Sequence, residues 1–511
     1  MSDTVISLAS EPATWLETVE ANSHFILLAP HGGRAHPSTR ALLHPKVNDL
    51  HTAEITRELA QVLDATAMIN FAMDRNRLDC NRLSQLAERA PWFIDQIAER
   101  LRQTVARHGR ATVLLIHGWN IIEPRVDFGL GLKSVGGELR PPGAARVSAS
   151  DEFINGPLAV LSHKLNEAGI RCTFGFRYPG GGRQNLVQAF TDRHRDSEIE
   201  SLREIAEMAA GGKVDAVQLE LSVAVRMPGP LRSRCLEAIV HAFSNHTGRA
   251  KAPAVYSVNR APQPRRTPAM PAPIPPGRIG VEFFDPAARV GGMASFDLGA
   301  GGAGARIMML MDGPSAALFT AEGRPARDKR GVKLGPLSLS IRENDICLSF
   351  EGPAVIVPDA TAYLSIERAL ASGRLDSAME VHGWLDVANE AENFERAFSN
   401  PDSSTAGLSA GAFGTLIGEM VLDGEVLPIR AAARAGVSFT GLGPHKFVSR
   451  RMVWLHFDDG ESPTALEMRL ILGDGGIALS QARVLDGGEW LECELDELAL
   501  ETVSVDRPAD R

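Results

Sequence analysis

Two short segments end a run of apolar residues with a histidine followed by glycine. They are "FILLAPHGG" at residues 25–33, which contains His31, and "TVLLIHGWN" at residues 112–120, which contains His117. Each apolar run predicts a buried strand, and open α/β sheets bind their ligands beyond the carboxyl ends of the strands. Neutral imidazole is a common metal ligand. The two segments therefore predict that His31 and His117 bind one metal ion.

A catalytic zinc site needs a third protein ligand, because it has three such ligands and keeps one position open for water. The segment "NDLHTAEITRELA" offers Asp49, His51 and Glu54, and an acid is the expected type. Asp49 directly precedes a predicted helix, and Glu54 falls in the first turn of that helix. Acids at these positions also stabilise a helix dipole without any metal. The residues themselves leave the third ligand open.

Arginines are concentrated in "DRNRLDCNRL", where Arg75, Arg77 and Arg82 lie within eight residues. Arginine suits bidentate recognition of a carboxylate. An exposed connection between a strand and a helix also carries charges without any ligand. The segment indicates either a carboxylate-binding site or an ordinary solvated connection.

A single glutamate, Glu220, interrupts the apolar strand predicted for "DAVQLELSVAVR". A buried carboxylate is costly unless it is paired or used. Beside a metal it could accept a proton from water and pass it to a leaving amine, since burial raises its pKa toward the working pH. An ion pair with Arg226 is the structural alternative.

Seven motifs follow one another in an order that resembles a known family. They are "LLAPHGG", "DLHTAEI", "RNRLDCNR", "LLIHGWN", "VDFGLG", "RYPGGG" and "VQLEL". Together they are similar to the N-formylglutamate amidohydrolase family, a branch of the zinc carboxypeptidase-like folds. The resemblance covers roughly residues 22–245. It implies a zinc-dependent hydrolase that cleaves an N-formyl or N-acyl amide.

The resemblance also implies roles for individual residues. It gives His31, Asp49 and His117 as zinc ligands, with Glu54 as the alternative to Asp49. It gives Glu220 as the general base and Arg82 as a second catalytic residue that binds the scissile carbonyl oxygen or a substrate carboxylate. The implied substrate-binding residues are Arg75, Asn81, Arg82, Gly181 and Gly182.

Two further residues bear on this resemblance. Asp79 is expected to orient the arginines. Leu115 stands where the family commonly has an aspartate two residues before the second histidine, so His117 lacks that supporting carboxylate.

Composition narrows the function classes. The net charge is −10 and no basic tract is present, which argues against a nucleic-acid or anionic-membrane binder. No segment approaches 18 uninterrupted apolar residues, so no membrane span is expected. The five cysteines are scattered without a CxxC pair, which is typical of reduced thiols in a cytoplasmic protein. The expected partner is a small molecule with a carboxylate, and the oligomeric state stays open, a homo-oligomer included.

The 511 residues divide by composition and pattern. Residues 1–247 alternate strand-like and helix-like segments, which predicts a mixed α/β sheet flanked by helices, with a zinc carboxypeptidase-like fold implied by the resemblance. Residues 248–278 are rich in proline and form a predicted linker. Residues 279–511 contain short strand-like runs closed by glycine turns, which predicts an all-β region, one sandwich or two lipocalin-like half barrels, with room for two subdomains.

The β region offers one weaker motif. "GLGPHKFVSRRMVWLHFDDG" faintly resembles a motif of carotenoid-hydratase-like β domains, and its pocket candidates are His445, Arg450, Arg451 and Trp454. An ordinary turn followed by a strand explains the same pattern. Two alternatives to the amidohydrolase therefore stay open. In one the β region performs hydratase- or isomerase-like chemistry, and in the other a degenerate hydrolase fold acts as a binding scaffold.

Overall fold

An α/β domain precedes an all-β region, as the sequence predicts. The computed structural model describes residues 14–39, 46–135, 138–142, 147–244, 277–285, 287–299, 302–311, 314–328, 330–342, 345–359, 366–386, 409–439, 449–458, 463–473, 476–486 and 489–493. The predicted linker lies outside these residues except at its last two positions, and so does His445.

The N-terminal domain is built on a seven-stranded mixed sheet. Its strands are β1 (Leu16–Val19), β2 (Phe25–Ala29), β3 (Thr66–Asn70), β4 (Ala111–Trp119), β5 (Arg125–Gly129), β8 (Arg171–Phe174) and β9 (Val214–Ser222). The order across the sheet is β1-β3-β2-β4-β9-β5-β8. Strands β3, β2, β4 and β9 are parallel, whereas β1 and β5 run against β3 and β9. A hairpin of β6 (Lys133–Val135) and β7 (Glu138–Arg140) stands apart.

Helices cover both faces of this sheet, which is why its central strands are continuous apolar runs. The helices are α1 (Thr52–Val62), α2 (Leu83–Arg89), α3 (Pro91–His108), α4 (Asp151–Phe153), α5 (Ala159–Glu167), α6 (Glu200–Ala210), α7 (Val223–Arg226) and α8 (Pro230–Ser244). Helices α1, α5 and α8 pack on one face, and α2, α3 and α6 pack on the other. Shorter helical turns span Pro37–Thr39, Ile154–Leu158, Leu186–Phe190 and Asp192–His194.

The strands of the β region close into one antiparallel barrel of eight strands. They are β10 (Gly277–Asp285), β11 (Val290–Gly299), β12 (Gly302–Leu310), β13 (Ala316–Gly323), β17 (Asp345–Val357), β18 (Arg374–Asp386), β19 (Ser409–Leu422) and β20 (Glu425–Phe439). The pairing of β13 with β17 closes the ring. Three short strands extend the sheet beyond β17, and these are β14 (Ala326–Asp328), β15 (Gly331–Leu334) and β16 (Leu337–Arg342). Helix α9 (Ile366–Ser372) follows β17.

The loop between β19 and β20 is one of the predicted glycine turns, and it consists of Asp423 and Gly424. Asp423 and Gly424 have φ angles of 53° and 79°, which is the left-handed pair that a two-residue hairpin turn of type I′ requires. A separate four-stranded sheet follows, made of β21 (Ser449–Asp458), β22 (Pro463–Gly473), β23 (Gly476–Asp486) and β24 (Glu489–Cys493). Strand β21 carries Arg450, Arg451 and Trp454, whose side chains lie outside the described part of the chain.

The barrel packs directly against the α/β domain. Ile122, Val223 and Met227 of the α/β domain belong to the same buried apolar cluster as the barrel interior. The backbone N–H groups of Ile122 and Glu123 both donate to the carbonyl oxygen of Thr320 on β13, at 2.9 and 3.0 Å. Within the described residues, no helix has both the length and the hydrophobicity needed to cross a bilayer.

Candidate metal centre

Two neighbouring parallel strands bring His31 and His117 together. Strand β2 pairs with β4, so their carboxyl ends lie at one edge of the sheet. His31 follows β2 by two residues, and His117 lies near the end of β4. Asp49 reaches the same edge because its backbone N–H donates to the carbonyl oxygen of His31 at 2.8 Å. The Thr52 hydroxyl donates to the Asp49 carbonyl oxygen at 2.6 Å, which fixes the turn into α1.

His31, Asp49 and His117 form a compact buried group. The distance from His31 Nδ1 to Asp49 Oδ2 is 3.3 Å, and that from His117 Nδ1 to the same oxygen is also 3.3 Å. Among the described residues, this is the group of three ligand-type side chains whose donor atoms lie within 4.8 Å of one another. Glu54 and His51, the other candidates for third ligand, are not part of it.

The protonation states of His117 and Asp49 suit a metal. Burial lowers the pKa of His117 to about 4, despite its hydrogen bond to Asp49, so the ring is neutral near neutral pH. Burial opposes ionisation of Asp49, but the charge of His31 and the hydrogen bonds from both histidines outweigh it and hold the pKa well below its usual range. Neutral imidazole and ionised carboxylate are the ligating forms. Two nitrogens and one oxygen match the donor set of a catalytic zinc site.

Asp79 holds the nitrogen of His31 that faces away from Asp49. Its Oδ1 lies 2.7 Å from His31 Nε2, and its Oδ2 accepts from Lys46 Nζ at 2.9 Å. The Nδ1 atom of His31 is thereby turned toward Asp49, because a ligating histidine is oriented by the partner of its other nitrogen. Asp79 Oδ2 also pairs with Arg82 Nε at 3.9 Å, and the role of Asp79 in orienting the arginines stays a prediction.

His117 has a different surrounding. Its Nε2 atom is buried and has no hydrogen-bond partner among the described residues. Leu115, two residues earlier on β4, is fully buried among apolar side chains. The departure from the family pattern at Leu115 thus coincides with an imidazole that lacks outer support. His31 is the better oriented of the two histidines.

We expect Asp79→Asn to weaken zinc binding about 10- to 100-fold, because an outer partner of a ligating histidine typically has that effect. Competition with a chromogenic chelator measures the affinity. Asp74→Asn is the matched control, since Asp74 is equally buried in the same segment but bonds His36, Thr39 and Asn76 instead of His31. Equal affinities in wild type and Asp79→Asn would contradict the assignment.

Glu220 lies directly beside His117. The parallel register of β4 and β9 pairs these two residues, and the antiparallel register of β9 and β5 pairs Glu220 with Asp127. One oxygen of Glu220 accepts a hydrogen bond from Gln218 Nε2. Burial, together with the negative charge of Asp49, raises the pKa of Glu220 well above its usual value. A buried carboxyl group with a raised pKa is a candidate for general acid–base catalysis.

The predicted ion pair of Glu220 with Arg226 is not formed in the described part of the chain. Arg226 is fully buried and donates to the carbonyl oxygen of Leu50 at 2.6 Å and to Asn120 Oδ1 at 2.9 Å. It also occupies the space beside Gly118, where a Cβ would lie 2.5 Å from Arg226 Nη1. The arginine supports the backbone around the metal group, and Gly118 makes room for it.

The arginine-rich segment reaches the same edge of the sheet. Arg75 Nη1 donates to the carbonyl oxygen of Val47 at 3.0 Å and lies 3.4 Å from Asp49 Oδ1. The Nε atom of Arg75 is buried and has no hydrogen-bond partner within the described part of the chain. The Arg82 side chain is about half exposed, at 52%. Asn81 Oδ1 accepts from the backbone N–H of Leu186 at 3.2 Å and ties this segment to the one that follows the glycines.

The two glycines of the predicted substrate loop differ. A Cβ at Gly181 would lie 2.1 Å from the carbonyl oxygen of Leu132, so close backbone packing requires glycine there. At Gly182 nothing lies within 4 Å of such a Cβ. Their contact with a substrate stays a prediction, as do the roles of Asn81 and Arg82.

Sequence reasoning missed the contributions of Asp127 and Arg226. Both are buried charged residues next to Glu220 in space, and both lie in or beside apolar strands. The signal that singled out Glu220, a charge inside an apolar run, is also present in "RVDFG" and "SVAVR".

Comparisons with known proteins find distant structural similarity. No family model matches the chain, and no curated protein matches it. Among solved structures, N-formylglutamate amidohydrolase from Ralstonia eutropha is 12% identical, with a TM-score of 0.29 over 45% of this chain and 95% of that one. A gene product of Agrobacterium tumefaciens is 13% identical, with a TM-score of 0.30 over 46% and 95%. Kievitone hydratase from Nectria haematococca is 11% identical, with a TM-score of 0.26 over 47% and 68%.

Proposed function

We propose that the α/β domain is a zinc-dependent amidohydrolase that cleaves an N-acyl amide of a small carboxylate-bearing substrate. The observation that carries this proposal is the buried group of His31, Asp49 and His117 with Glu220 beside it. The seven ordered sequence motifs support the same reaction class. No covalent enzyme intermediate is required.

Within this proposal each residue has a separate task. A zinc ion held by such a group supplies a water of lowered pKa and polarises the substrate carbonyl. The Glu220 carboxylate takes the proton of the attacking water and later delivers it to the leaving amine nitrogen. Gln218 holds one Glu220 oxygen in place through its hydrogen bond, so the other oxygen is free to carry the proton.

The arginines supply the positive charge that a carboxylate substrate needs. Arg75 lies close to the metal group, and Arg82 is more exposed at the same edge. A guanidinium group binds a carboxylate in a bidentate manner and also stabilises negative charge on a carbonyl oxygen. We assign carboxylate binding to Arg75 and Arg82 within the proposed function.

Elemental analysis of protein purified without added metal tests the proposal. We expect about one zinc per chain in the wild type and none in His117→Ala, because two ligands do not hold zinc firmly. His194→Ala is the matched control, since His194 is also a buried histidine of this domain but lies outside the metal group. Wild-type protein that binds no divalent metal, even after incubation with zinc, would sink the hydrolase proposal.

One observation favours a second candidate, a degenerate hydrolase fold that acts as a scaffold. It is the unpartnered Nε2 of His117, which lacks the support that His31 receives from Asp79. The same elemental analysis separates the two, because a scaffold has no reason to retain stoichiometric zinc. Chemistry inside the barrel is less favoured, since the fully buried rings of Phe296, Phe319 and Phe350 belong to its apolar core.

A further inference from the structure

A row of aromatic and charged residues lies next to the row that contains His117. Side chains two residues apart on a strand point to the same face of the sheet. His117, Glu220 and Asp127 form one row across β4, β9 and β5. Trp119 on β4 and Arg125 on β5 come two residues further and flank the next row on the same face. The surface around Trp119 therefore adjoins the proposed reaction centre.

Three aromatic side chains gather there. The ring centroids of Trp119 and Phe176 are 6.3 Å apart, and those of Trp119 and Tyr178 are 5.9 Å apart. The guanidinium of Arg125 lies 5.3 Å from the Trp119 centroid and 5.5 Å from that of Phe176. Trp119 is buried, whereas Phe176 is 41% exposed and Tyr178 is 37% exposed. The cluster thus presents partly uncovered aromatic rings to solvent on one side.

The segment that carries Phe176 and Tyr178 is held in place by a buried carboxylate. Asp127 accepts hydrogen bonds from the backbone N–H groups of Phe176, Arg177 and Tyr178, at 2.9, 2.9 and 3.0 Å. It also accepts one from the Thr173 hydroxyl at 2.8 Å. Fixing a binding surface before the ligand arrives reduces the entropy lost on binding. The aromatic surface is therefore preorganised.

The barrel secures the outer side of this segment. Arg177 Nε lies 3.3 Å from Glu322 Oε2 on β13. On the inner side, the Tyr178 ring packs against Trp119, with ring centroids 5.9 Å apart. Trp119 follows His117 by two residues on β4, and His117 is paired with Glu220 on β9. The aromatic surface thus extends from the barrel toward the strands that carry the proposed reaction centre.

The arginines and the aromatic rings lie on opposite sides of the reaction centre. The arginine segment follows β3, and the aromatic segment follows β8. Strands β4 and β9, which carry His117 and Glu220, stand between them in the sheet order. A substrate whose carboxylate binds the arginines and whose amide lies beside Glu220 places its acyl group at the rings.

We infer that Phe176 and Tyr178, which pack on the buried Trp119, bind an aromatic acyl group, so that the substrate class is the N-aroyl amino acids. This inference rests on the proposed amidohydrolase function and specifies its substrate. Phe176 and Tyr178 supply the contact with the aryl ring, and Asp127 positions them. Arg75 and Arg82 bind the carboxylate of the amino-acid part.

Calorimetric titration of zinc-loaded Glu220→Gln with N-benzoylglycine and N-acetylglycine tests the inference without turnover. The two ligands differ in the acyl group alone. We expect N-benzoylglycine to bind about tenfold more tightly, since burial of an aromatic ring together with its ring contacts has that order of effect. Adding Phe176→Ala is expected to remove most of this preference. Adding Phe174→Ala is expected to preserve it.

Phe174 is the matched control because it is 37% exposed in the same segment but packs against Phe128, with ring centroids 5.0 Å apart. Equal affinity for the two ligands would overturn the inference. Tighter binding of N-acetylphenylalanine than of N-benzoylglycine would also overturn it, because the ring of N-acetylphenylalanine is on the carboxylate side of the amide. If the protein prefers the aryl ligand but the wild type does not hydrolyse it, the proposed hydrolase function is wrong. If the wild type hydrolyses N-acyl amino acids without an aryl preference, the hydrolase function stands and the assigned substrate class is wrong.

Discussion

Replacing Glu220 by glutamine is expected to lower kcat for amide hydrolysis by about 10² to 10⁴, because general acid–base catalysis typically contributes that factor. Glutamine has nearly the same shape but cannot accept a proton. Glu220 is not part of the metal group, so zinc content is expected to stay at the wild-type level. Steady-state hydrolysis of N-acyl amino acids and elemental analysis of the same preparations measure both quantities.

Glu54→Gln is the matched control for this experiment. Glu54 is the alternative third ligand and lies in the first turn of α1, outside the metal group. We expect Glu54→Gln to keep both zinc and kcat. A Glu220→Gln variant with wild-type kcat would remove Glu220 from the mechanism, and loss of zinc in Glu54→Gln would reopen the identity of the third ligand.

Arg125→Met is expected to lower the free energy of unfolding by about 3–5 kcal/mol, because it removes the buried partner of Glu123 and leaves that carboxylate with the exposed guanidinium of Arg171, 3.8 Å away. Arg125 is 1% exposed, and its Nη2 atom lies 2.8 Å from Glu123 Oε2. Its Nη1 atom also donates to the carbonyl oxygen of Glu322 on the barrel, at 2.8 Å. The substitution therefore weakens the contact between the two domains. Chemical denaturation followed by tryptophan fluorescence measures the change.

An exposed ion pair in the same region provides the comparison. Arg177 pairs with Glu322, and their side chains are 57% and 39% exposed. Arg177→Met is expected to cost at most about 1 kcal/mol, as is usual for exposed pairs. Combining Arg125→Met with Glu123→Leu is expected to recover part of the stability, since no unpaired charge remains. A double variant less stable than Arg125→Met alone would show that charge burial is not the cause.

The strands and the two histidines could be predicted because their signals are local. The run "FILLA" is apolar throughout and forms the fully buried β2, since parallel strands are covered on both faces. His31 and His117 meet because each lies near the carboxyl end of its strand, and these strands are neighbours. Glu220 was found because a charge inside an apolar run needs an explanation.

Other parts of the site depend on contacts between distant residues. Asp79 reaches His31 across 48 positions, and Asp127 reaches Tyr178 across 51. No local pattern specifies such partners, since they follow from the register of the sheet and the path of the connections. The same limit applies to the barrel. Its closure depends on pairs such as Ala316 with Val357, whereas the sequence shows turns between consecutive strands alone.

The hydrogen bonds between the α/β domain and strand β13 determine whether the α/β domain can be separated from the barrel. Ile122 and Glu123, which rest on the barrel, lie between His117 and Asp127 in the sequence. Expressing the α/β domain without the barrel would leave Arg125 and Glu123 facing water, and it would uncover Ile122, Val223 and Met227. The α/β domain is therefore not a detachable module. Any insertion, deletion or fusion that shifts β13 also acts on the backbone between the proposed metal ligand and the aromatic surface.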